Sequence, residues 1–154
     1  MITRGLLLAC VLFGALNAMA DEVPRKPRKL LAWLQAATYR ATFTGEPAVR
    51  PSAIHGPQVR VWYSPELVQA LADGTVPFPK RAAMVKELYA ADGVTVAGYS
   101  VMAKVRRRSG RNGEGWFWYE AVNAPAVDFI GRGVRLCSSC HTQGTDFLRS
   151  PFRP

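Results

Sequence analysis

The residues with the clearest chemistry lie near the carboxyl end of the chain, where Cys137 and Cys140 are separated by two serines and followed directly by His141. This C-x-x-C-H spacing is the attachment signal for c-type haem. Two intervening residues let both sulfurs reach the vinyl groups on one porphyrin edge, and the adjacent histidine then lies under the iron as its proximal ligand. The motif therefore predicts one covalent haem c, attached through Cys137 and Cys140, with His141 on the iron.

Three other roles of a close cysteine pair fit the sequence less well. A structural zinc site normally uses four protein ligands, and besides the motif itself only the distant His55 is available. A thioredoxin-like redox pair would lie near the start of a β-α-β pattern, which is absent here. A plain disulfide would leave the adjacent histidine unexplained.

The sixth coordination position of the iron has no obvious ligand. No methionine follows His141, whereas common small electron-transfer cytochromes c carry the axial methionine well after the attachment motif. Met84 and Met102 lie in predicted strands, where a buried methionine usually fills the core. His55, in a predicted loop, is the candidate for the distal side of the iron, with a surface or hydrogen-bonded histidine as the alternative. We therefore expect a five-coordinate iron whose open face suits small-ligand binding or chemistry.

The first 20 residues have the layout of a secretory signal peptide. Arg4 provides a positive start, Leu6 to Leu16 is an apolar run, and Ala18 to Ala20 is a small-residue cleavage site. The run is shorter than the roughly 20 residues that span a bilayer. We expect cleavage after Ala20, a periplasmic location and no transmembrane segment after the signal is removed. Cys10 would be lost with the signal.

The chain is strongly basic, with 20 Lys and Arg residues against 11 Asp and Glu residues and a net charge of +9. Basic clusters occupy residues 25–29 and 106–111. In an exported protein such clusters argue against a nucleic-acid partner and for solubility or an acidic partner, such as a redox protein.

The remaining sequence predicts the elements that position the motif. Apolar spacing predicts a helix over residues 29–43, and Ser64 as N-cap before Pro65 and Glu66 predicts a second helix that ends at Ala72. Alternating β-prone segments predict strands, which lie at residues 59–63, 82–90, 95–105 and 116–122. Glycine and proline predict a loop at residues 45–57, and residues 123–133 are expected to be irregular.

Successive strands joined by turns favour an antiparallel sheet. We therefore predict an α+β fold, mainly an antiparallel β-sheet with flanking helices and a C-terminal haem-attachment segment. The expected organisation is a signal peptide at residues 1–20, a flexible basic leader at 21–28 and one haem domain at 29–154.

Several blocks of the sequence resemble the cytochrome P-460 family, which includes the cytochromes c′-beta. They occur in the family's order and end with the C-x-x-C-H motif; the blocks are Val61–Glu66, Met84–Leu88, Gly115–Tyr119 and Thr145–Asp146. The resemblance implies a mostly antiparallel β domain, usually dimeric, that holds high-spin haem in a pocket on the sheet. The basic segment 106–111 and the start before Val59 depart from the family's enzymes, as do shorter connections between strands.

The resemblance also implies roles for individual residues. Lys86 stands where a family lysine is covalently joined to the porphyrin, although Lys86 could instead lie at an exposed edge or pair with an acid such as Glu120. Family enzymes oxidise hydroxylamine, and c′-beta members bind nitric oxide. A catalytic proton carrier is generally a carboxylate or histidine. Glu120 is the first candidate and Glu87 the second, and a structural ion pair is the alternative for both.

The motif and the resemblance together predict a periplasmic mono-haem c-type cytochrome of P-460 type. It would bind or oxidise small nitrogen compounds, hydroxylamine or nitric oxide, and as an enzyme it would be a hydroxylamine-oxidising haem oxidoreductase. Two alternatives stay open. One is a low-spin electron-transfer cytochrome with His55 or a methionine as sixth ligand, and the other is a gas-binding protein without turnover.

Overall fold

One antiparallel sheet dominates the computed structural model, which describes residues 22–154. Within that range the strands are β1 (Thr44–Gly45), β2 (Arg50–Pro51), β3 (Gln58–Tyr63), β4 (Ala83–Tyr89), β5 (Val96–Lys104), β6 (Trp116–Ala121) and β7 (Phe129–Arg132). The helices are α1 (Pro27–Ala36), α2 (Pro65–Ala72) and α3 (Arg135–His141), and a 3₁₀ turn covers Thr38–Ala41. The predicted α+β class with a mainly antiparallel sheet is confirmed.

The strands pair in the order β1-β3-β4-β5-β6-β7, and β2 also pairs with β3. The four longest strands, β3 to β6, lie at the centre and correspond to the four predicted strands. The short strands lie at the two edges. The predicted signal peptide, its cleavage point after Ala20 and Cys10 fall outside the described residues. No helix within residues 22–154 is long and apolar enough to cross a bilayer.

Helix α2 forms where it was predicted because its first turn is capped locally. Ser64 has an extended backbone, and its Oγ accepts a hydrogen bond from the Leu67 amide at 3.3 Å. The same Oγ accepts a hydrogen bond from the Ala83 amide at 3.0 Å, which ties the helix to the start of β4. Pro65 occupies the first turn, where backbone N–H groups have no acceptor within the helix, so the N–H that proline lacks is not needed.

Helix α1 is shorter than predicted and begins two residues earlier. Ala37 adopts a left-handed conformation, with φ of 53°, and ends the helix. The 3₁₀ turn that follows brings Tyr39 into the core, so the apolar pattern continues although the α-helix does not. The predicted flexible leader is also partly fixed, because Val23 is only 6% exposed and packs in the same core.

The segment at residues 123–133 was predicted to be irregular, and that prediction was wrong for Phe129–Arg132. It contains β7, in which Ile130 pairs with Tyr119 and Gly131 with Trp118. The strand is short, contains a glycine and leaves Phe129 and Ile130 each 36% exposed. The sequence of β7 therefore lacks the alternation of buried and exposed residues that marks a strand. The segment is a strand because it pairs with β6. Residues 45–57 likewise contain β2, which pairs with β3.

The sheet separates two hydrophobic cores. Cross-strand register places Val85, Val101 and Tyr119 on the face covered by α1. The opposite face carries Met84 and Met102 and is covered by α2 and the C-terminal segment. Adjacent strand residues point to opposite faces, so this division decides which polar side chains meet α3.

Candidate functional site

The C-x-x-C-H segment forms α3 and borders a cavity of about 580 Å³. Cys137 and Cys140 are three residues apart on this helix, which places them on neighbouring positions of one face. His141 is the last residue of α3 and lines the same cavity. The other lining residues come from α3 itself, from β2 and the loop after it, from the central strands, from β7 and from the C-terminal tail; they include Arg50, His55, Lys86, Glu120, Phe129, Leu136 and Arg149.

The imidazole of His141 is held in a defined orientation. Its Nδ1 lies 2.8 Å from the carbonyl oxygen of Phe147, so Nδ1–H donates to that oxygen and Nε2 keeps its lone pair. The ring packs edge-on against Trp118, with the ring centres 4.9 Å apart. Burial lowers the pKa of His141 to about 4, with the Phe147 carbonyl acting in the opposite direction. A neutral imidazole with a free Nε2 is the form that binds a metal.

The two cysteines of α3 are free thiols. Cys137 is half-buried and Cys140 is exposed. Burial, reinforced by the charge of Glu120, raises the pKa of the Cys137 thiol to about 11. Redox-active cysteines are instead marked by a lowered pKa. The environment of Cys137 therefore argues against the thioredoxin-like alternative.

The sheet contributes a row of polar side chains to the cavity wall. Lys86, Ser100 and Glu120 are direct cross-strand neighbours on β4, β5 and β6. Glu120 also pairs with His55, whose Nδ1 lies 3.2 Å from one carboxylate oxygen and 3.3 Å from the other. The His55 and His141 ring centres are 6.4 Å apart. Six of the predicted site residues therefore line one cavity: His55, Lys86, Glu120, Cys137, Cys140 and His141.

Lys86 occupies an unusual position for an amine. It projects from the centre of the sheet on the face that α3 covers, and it lines the cavity beside Glu120. Burial lowers the pKa of Lys86 to about 8, and the nearby charge of Arg50 adds to this, while Glu120 and Glu46 oppose it. The neutral, nucleophilic fraction of the Lys86 amine near pH 7 is consequently larger than that of an exposed lysine, although the charged form still predominates.

Glu87 is not part of this site, which corrects the prediction that it could serve as a second proton carrier there. It follows Lys86 on β4 and therefore points to the opposite face, where it is fully buried. Its carboxylate accepts hydrogen bonds from Tyr39, from Arg40 at 2.7 Å and from Tyr89 at 2.7 Å. Burial alone would raise the pKa of Glu87, but these hydrogen bonds outweigh burial and hold it below the usual value.

The two methionines considered as iron ligands lie deeper than the cavity. Met84 and Met102 are direct cross-strand partners, 5% and 2% exposed, and both belong to the core under α2 and α3. They line a narrow space that also touches His141 and Trp118. Their packing is that of core residues, as the sequence indicated.

Several residues of the site were missed by sequence reasoning. Arg50 and Arg149 bring positive charge to the cavity, and Phe129 and Leu136 bring apolar surface. Arg50 pairs with Glu46 at 3.1 Å, and Arg149 donates to the carbonyl of Cys140 at 3.0 Å. No local pattern marks Arg50, Phe129 and Arg149, because they reach the cavity through β2, β7 and the C-terminal tail, whereas Leu136 lies on α3 directly before Cys137.

Over residues 22–154, no group of three or more His, Cys, Asp or Glu side chains is arranged to hold a metal ion by itself. Searches against known protein families and against curated proteins found no match to the chain.

Proposed function

We propose that the chain is a periplasmic c-type haem protein of P-460 type that binds or oxidises small nitrogen compounds. The observation that carries the proposal is the arrangement of α3: two free thiols and the free Nε2 of His141 line one cavity of about 580 Å³. The volume falls within the range of about 300–1,000 Å³ typical of small-molecule and cofactor sites.

The residues of the cavity fit a covalently attached haem. Cys137 and Cys140 would each add their S–H across one vinyl group, and His141 Nε2 would bind the iron. Phe129 and Leu136 offer apolar surface, while Arg50 and Arg149 supply positive charge for the propionate groups. Bound haem would supply a redox-active iron that can bind small nitrogen compounds such as nitric oxide and hydroxylamine.

Glu120 is the residue best placed to move a proton at this site. It is paired with His55 and has Ser100 Oγ at 3.5 Å, so protons have neighbouring acceptors and donors. Glu120 and His55 are both partly buried, with side chains 13% and 18% exposed, and they keep contact with solvent. The pair could take up a substrate proton and release it to water. This assignment supports oxidation, whereas a ligand-binding protein would not need it.

A second function has one specific observation in its favour. The ring of His55 lies in the same cavity as His141, and its Nε2 is not used in the pairing with Glu120. If His55 as well as His141 held the iron, the protein would be a low-spin electron-transfer cytochrome. The basic segment 106–111 could then dock an acidic redox partner, and a homodimer is a further proposal taken from the resemblance.

The absorption spectrum of the dithionite-reduced, haem-loaded protein tests these proposals. We expect a high-spin spectrum in the wild type and in His55→Ala, together with hydroxylamine turnover in the presence of an artificial electron acceptor. A low-spin wild type that becomes high-spin in His55→Ala would instead establish the electron carrier. Nitric oxide binding without turnover would leave a gas-binding protein and remove the oxidase proposal.

Lys86 should react as a neutral amine at an unusually low pH. Because burial lowers its pKa from 10.5 to about 8, the rate of trace acetylation should rise with pH and reach half its maximum near pH 8. The measurement is peptide mass spectrometry on the haem-free double variant Cys137→Ser/Cys140→Ser, with exposed Lys80 as internal standard. A midpoint near 10.5 would contradict this prediction.

The same amine is the proposed cross-link to haem. In a digest of the haem-loaded wild type, a cross-link would leave the Lys86 peptide attached to the haem peptide. Recovery of the unmodified Lys86 peptide, together with a c-type spectrum without a red-shifted Soret band, would rule against the cross-link.

A further inference from the structure

The carbonyl that fixes His141 belongs to an uncommon backbone conformation. Asp146 and Phe147 both adopt left-handed φ values, 48° and 70°. Such values are uncommon for residues other than glycine and persist where surrounding contacts impose them. Here they fold the chain back after α3, with Thr145 and Leu148 forming a bridge, and they direct the Phe147 oxygen to His141 Nδ1.

The side chain of Asp146 supplies those contacts. One carboxylate oxygen accepts hydrogen bonds from the Phe78 amide at 2.8 Å and from Lys104 Nζ at 2.5 Å, and the other accepts from Ser109 Oγ. The Asp146 carbonyl accepts a hydrogen bond from Trp116 Nε1 at 2.9 Å. Four donors from four different parts of the chain therefore hold this one residue.

The anchors of Asp146 are themselves fixed. The Lys104 side chain is 0% exposed and the Asp146 side chain is 6% exposed, so the ion pair is almost completely removed from solvent. Lys104 lies at the end of β5, and its Nζ is 4.7 Å from the ring centre of Trp116. The segment that precedes β6 packs closely against the same turn, because a Cβ atom at Gly113 would lie 3.2 Å from the Phe147 ring and 3.3 Å from Ser138 Cβ.

We propose that Asp146 is a positioning residue for His141, acting through the Phe147 carbonyl to set the orientation and electron donation of the proximal imidazole. The inference rests on the proposed haem function, which makes His141 an iron ligand. The hydrogen-bond donors to Asp146 named above, Phe78, Lys104, Ser109 and Trp116, are not among the residues that line the cavity. Asp146 determines the position of the Phe147 carbonyl oxygen, which accepts the hydrogen bond from His141 Nδ1–H.

The expected consequence follows from the chemistry of the imidazole. A hydrogen bond from Nδ1–H to a carbonyl makes Nε2 more basic and strengthens its bond to iron. Stronger donation favours the ferric state and lowers the reduction potential. If Asp146 loses its hydrogen bonds, the Phe147 carbonyl oxygen is no longer held in place. The hydrogen bond from His141 Nδ1–H to that oxygen then weakens, and the reduction potential of the iron rises.

Asp146→Asn in the haem-loaded full chain tests the inference, because it keeps the shape of the side chain but removes its charge and one acceptor. We expect a higher reduction potential in a redox titration. We also expect a lower iron–histidine stretching frequency in the resonance Raman spectrum of the reduced protein. Ser109→Ala, which removes one donor without changing charge, should produce a smaller shift in the same direction.

Asp92→Asn is the matched control. Asp92 also accepts three hydrogen bonds, from the Val94 and Thr95 amides and from Thr95 Oγ1, but in the turn between β4 and β5. Asp92→Asn should leave the reduction potential and the iron–histidine stretching frequency unchanged. Unaltered potential and stretching frequency in folded Asp146→Asn would overturn the inference. If that variant does not fold, the same result in Ser109→Ala overturns it.

A haem-independent measurement separates this inference from the proposed function. In the chain without haem, ¹⁵N NMR reports which ring nitrogen of His141 carries the proton. We expect the Nδ1–H form in the wild type and a loss of that preference in Asp146→Asn. A chain that never takes up haem would refute the proposed function while this result still supported the positioning role. An unchanged tautomer would count against that role.

Discussion

Replacing Cys137 and Cys140 together by serine should abolish covalent haem attachment. Serine keeps the size and polarity of each side chain but provides no sulfur to bond a vinyl carbon. Because thioether bonds survive denaturation, wild-type protein made with the c-type maturation machinery should retain haem on a denaturing gel. The double variant should retain none. Each single variant should keep one bond and show a shifted pyridine haemochrome band, since one vinyl group stays unsaturated.

Cys10→Ser is the matched control for this experiment. It makes the same substitution within the predicted signal peptide, so the mature protein should be identical to the wild type and fully loaded with haem. Haem that remained attached to the double variant after denaturation would contradict the assignment of the C-x-x-C-H motif. Wild-type protein without haem under these conditions would refute the proposed function itself.

Glu87→Gln should lower the free energy of unfolding by about 2–3 kcal/mol, because a buried charged acceptor is replaced by a group that cannot accept all of its hydrogen bonds. Tyr39, Tyr89 and Arg40 all donate to the Glu87 carboxylate on the face of the sheet away from the cavity. Hydroxylamine turnover and nitric oxide binding by the folded, haem-loaded variant should stay at wild-type levels. Urea unfolding and ligand titration measure the two effects separately.

Glu66→Gln is the control for Glu87. Glu66 pairs with Arg81 at 3.3 Å, but its side chain is 27% exposed, so the loss should be below about 1 kcal/mol. Lost turnover without lost stability in Glu87→Gln would restore Glu87 as a catalytic candidate. Lost stability with turnover retained establishes a structural role.

The structural role of Glu87 also has a pH signature. Its pKa is lowered in the folded protein, so the stability it contributes is present above its ordinary value of 4.5. That contribution is lost as the pH falls from 4.5 through the lower native value. Acid unfolding of Glu87→Gln should therefore be less steep below pH 4.5 than acid unfolding of the wild type.

The elements that were predicted correctly are those decided by neighbouring residues. Helix α2 follows from Ser64, Pro65 and an apolar face within eight residues. Strands β3 to β6 follow from apolar and aromatic runs with turns between them, such as the turn in which Asp92 binds the Val94 amide at 2.9 Å. Strand β7 could not be predicted, because it forms by pairing with β6. The early end of α1 could not be predicted either, because it depends on the packing of Tyr39 in the core.

The sequence by itself determined the attachment chemistry expected of Cys137, Cys140 and His141, because their spacing is local. Adjacent side chains alternate along a strand, so Lys86 and Glu87 on β4 point to opposite faces of the sheet. Only the tertiary structure decided which of the two meets α3, since that depends on how the helices pack on the two faces. Tertiary structure also decided the pairing of His55 with Glu120, which are 65 residues apart. It likewise decided the hydrogen bond between His141 Nδ1 and the Phe147 carbonyl. Contacts between distant segments are set by packing of the whole chain, and no local pattern contains them.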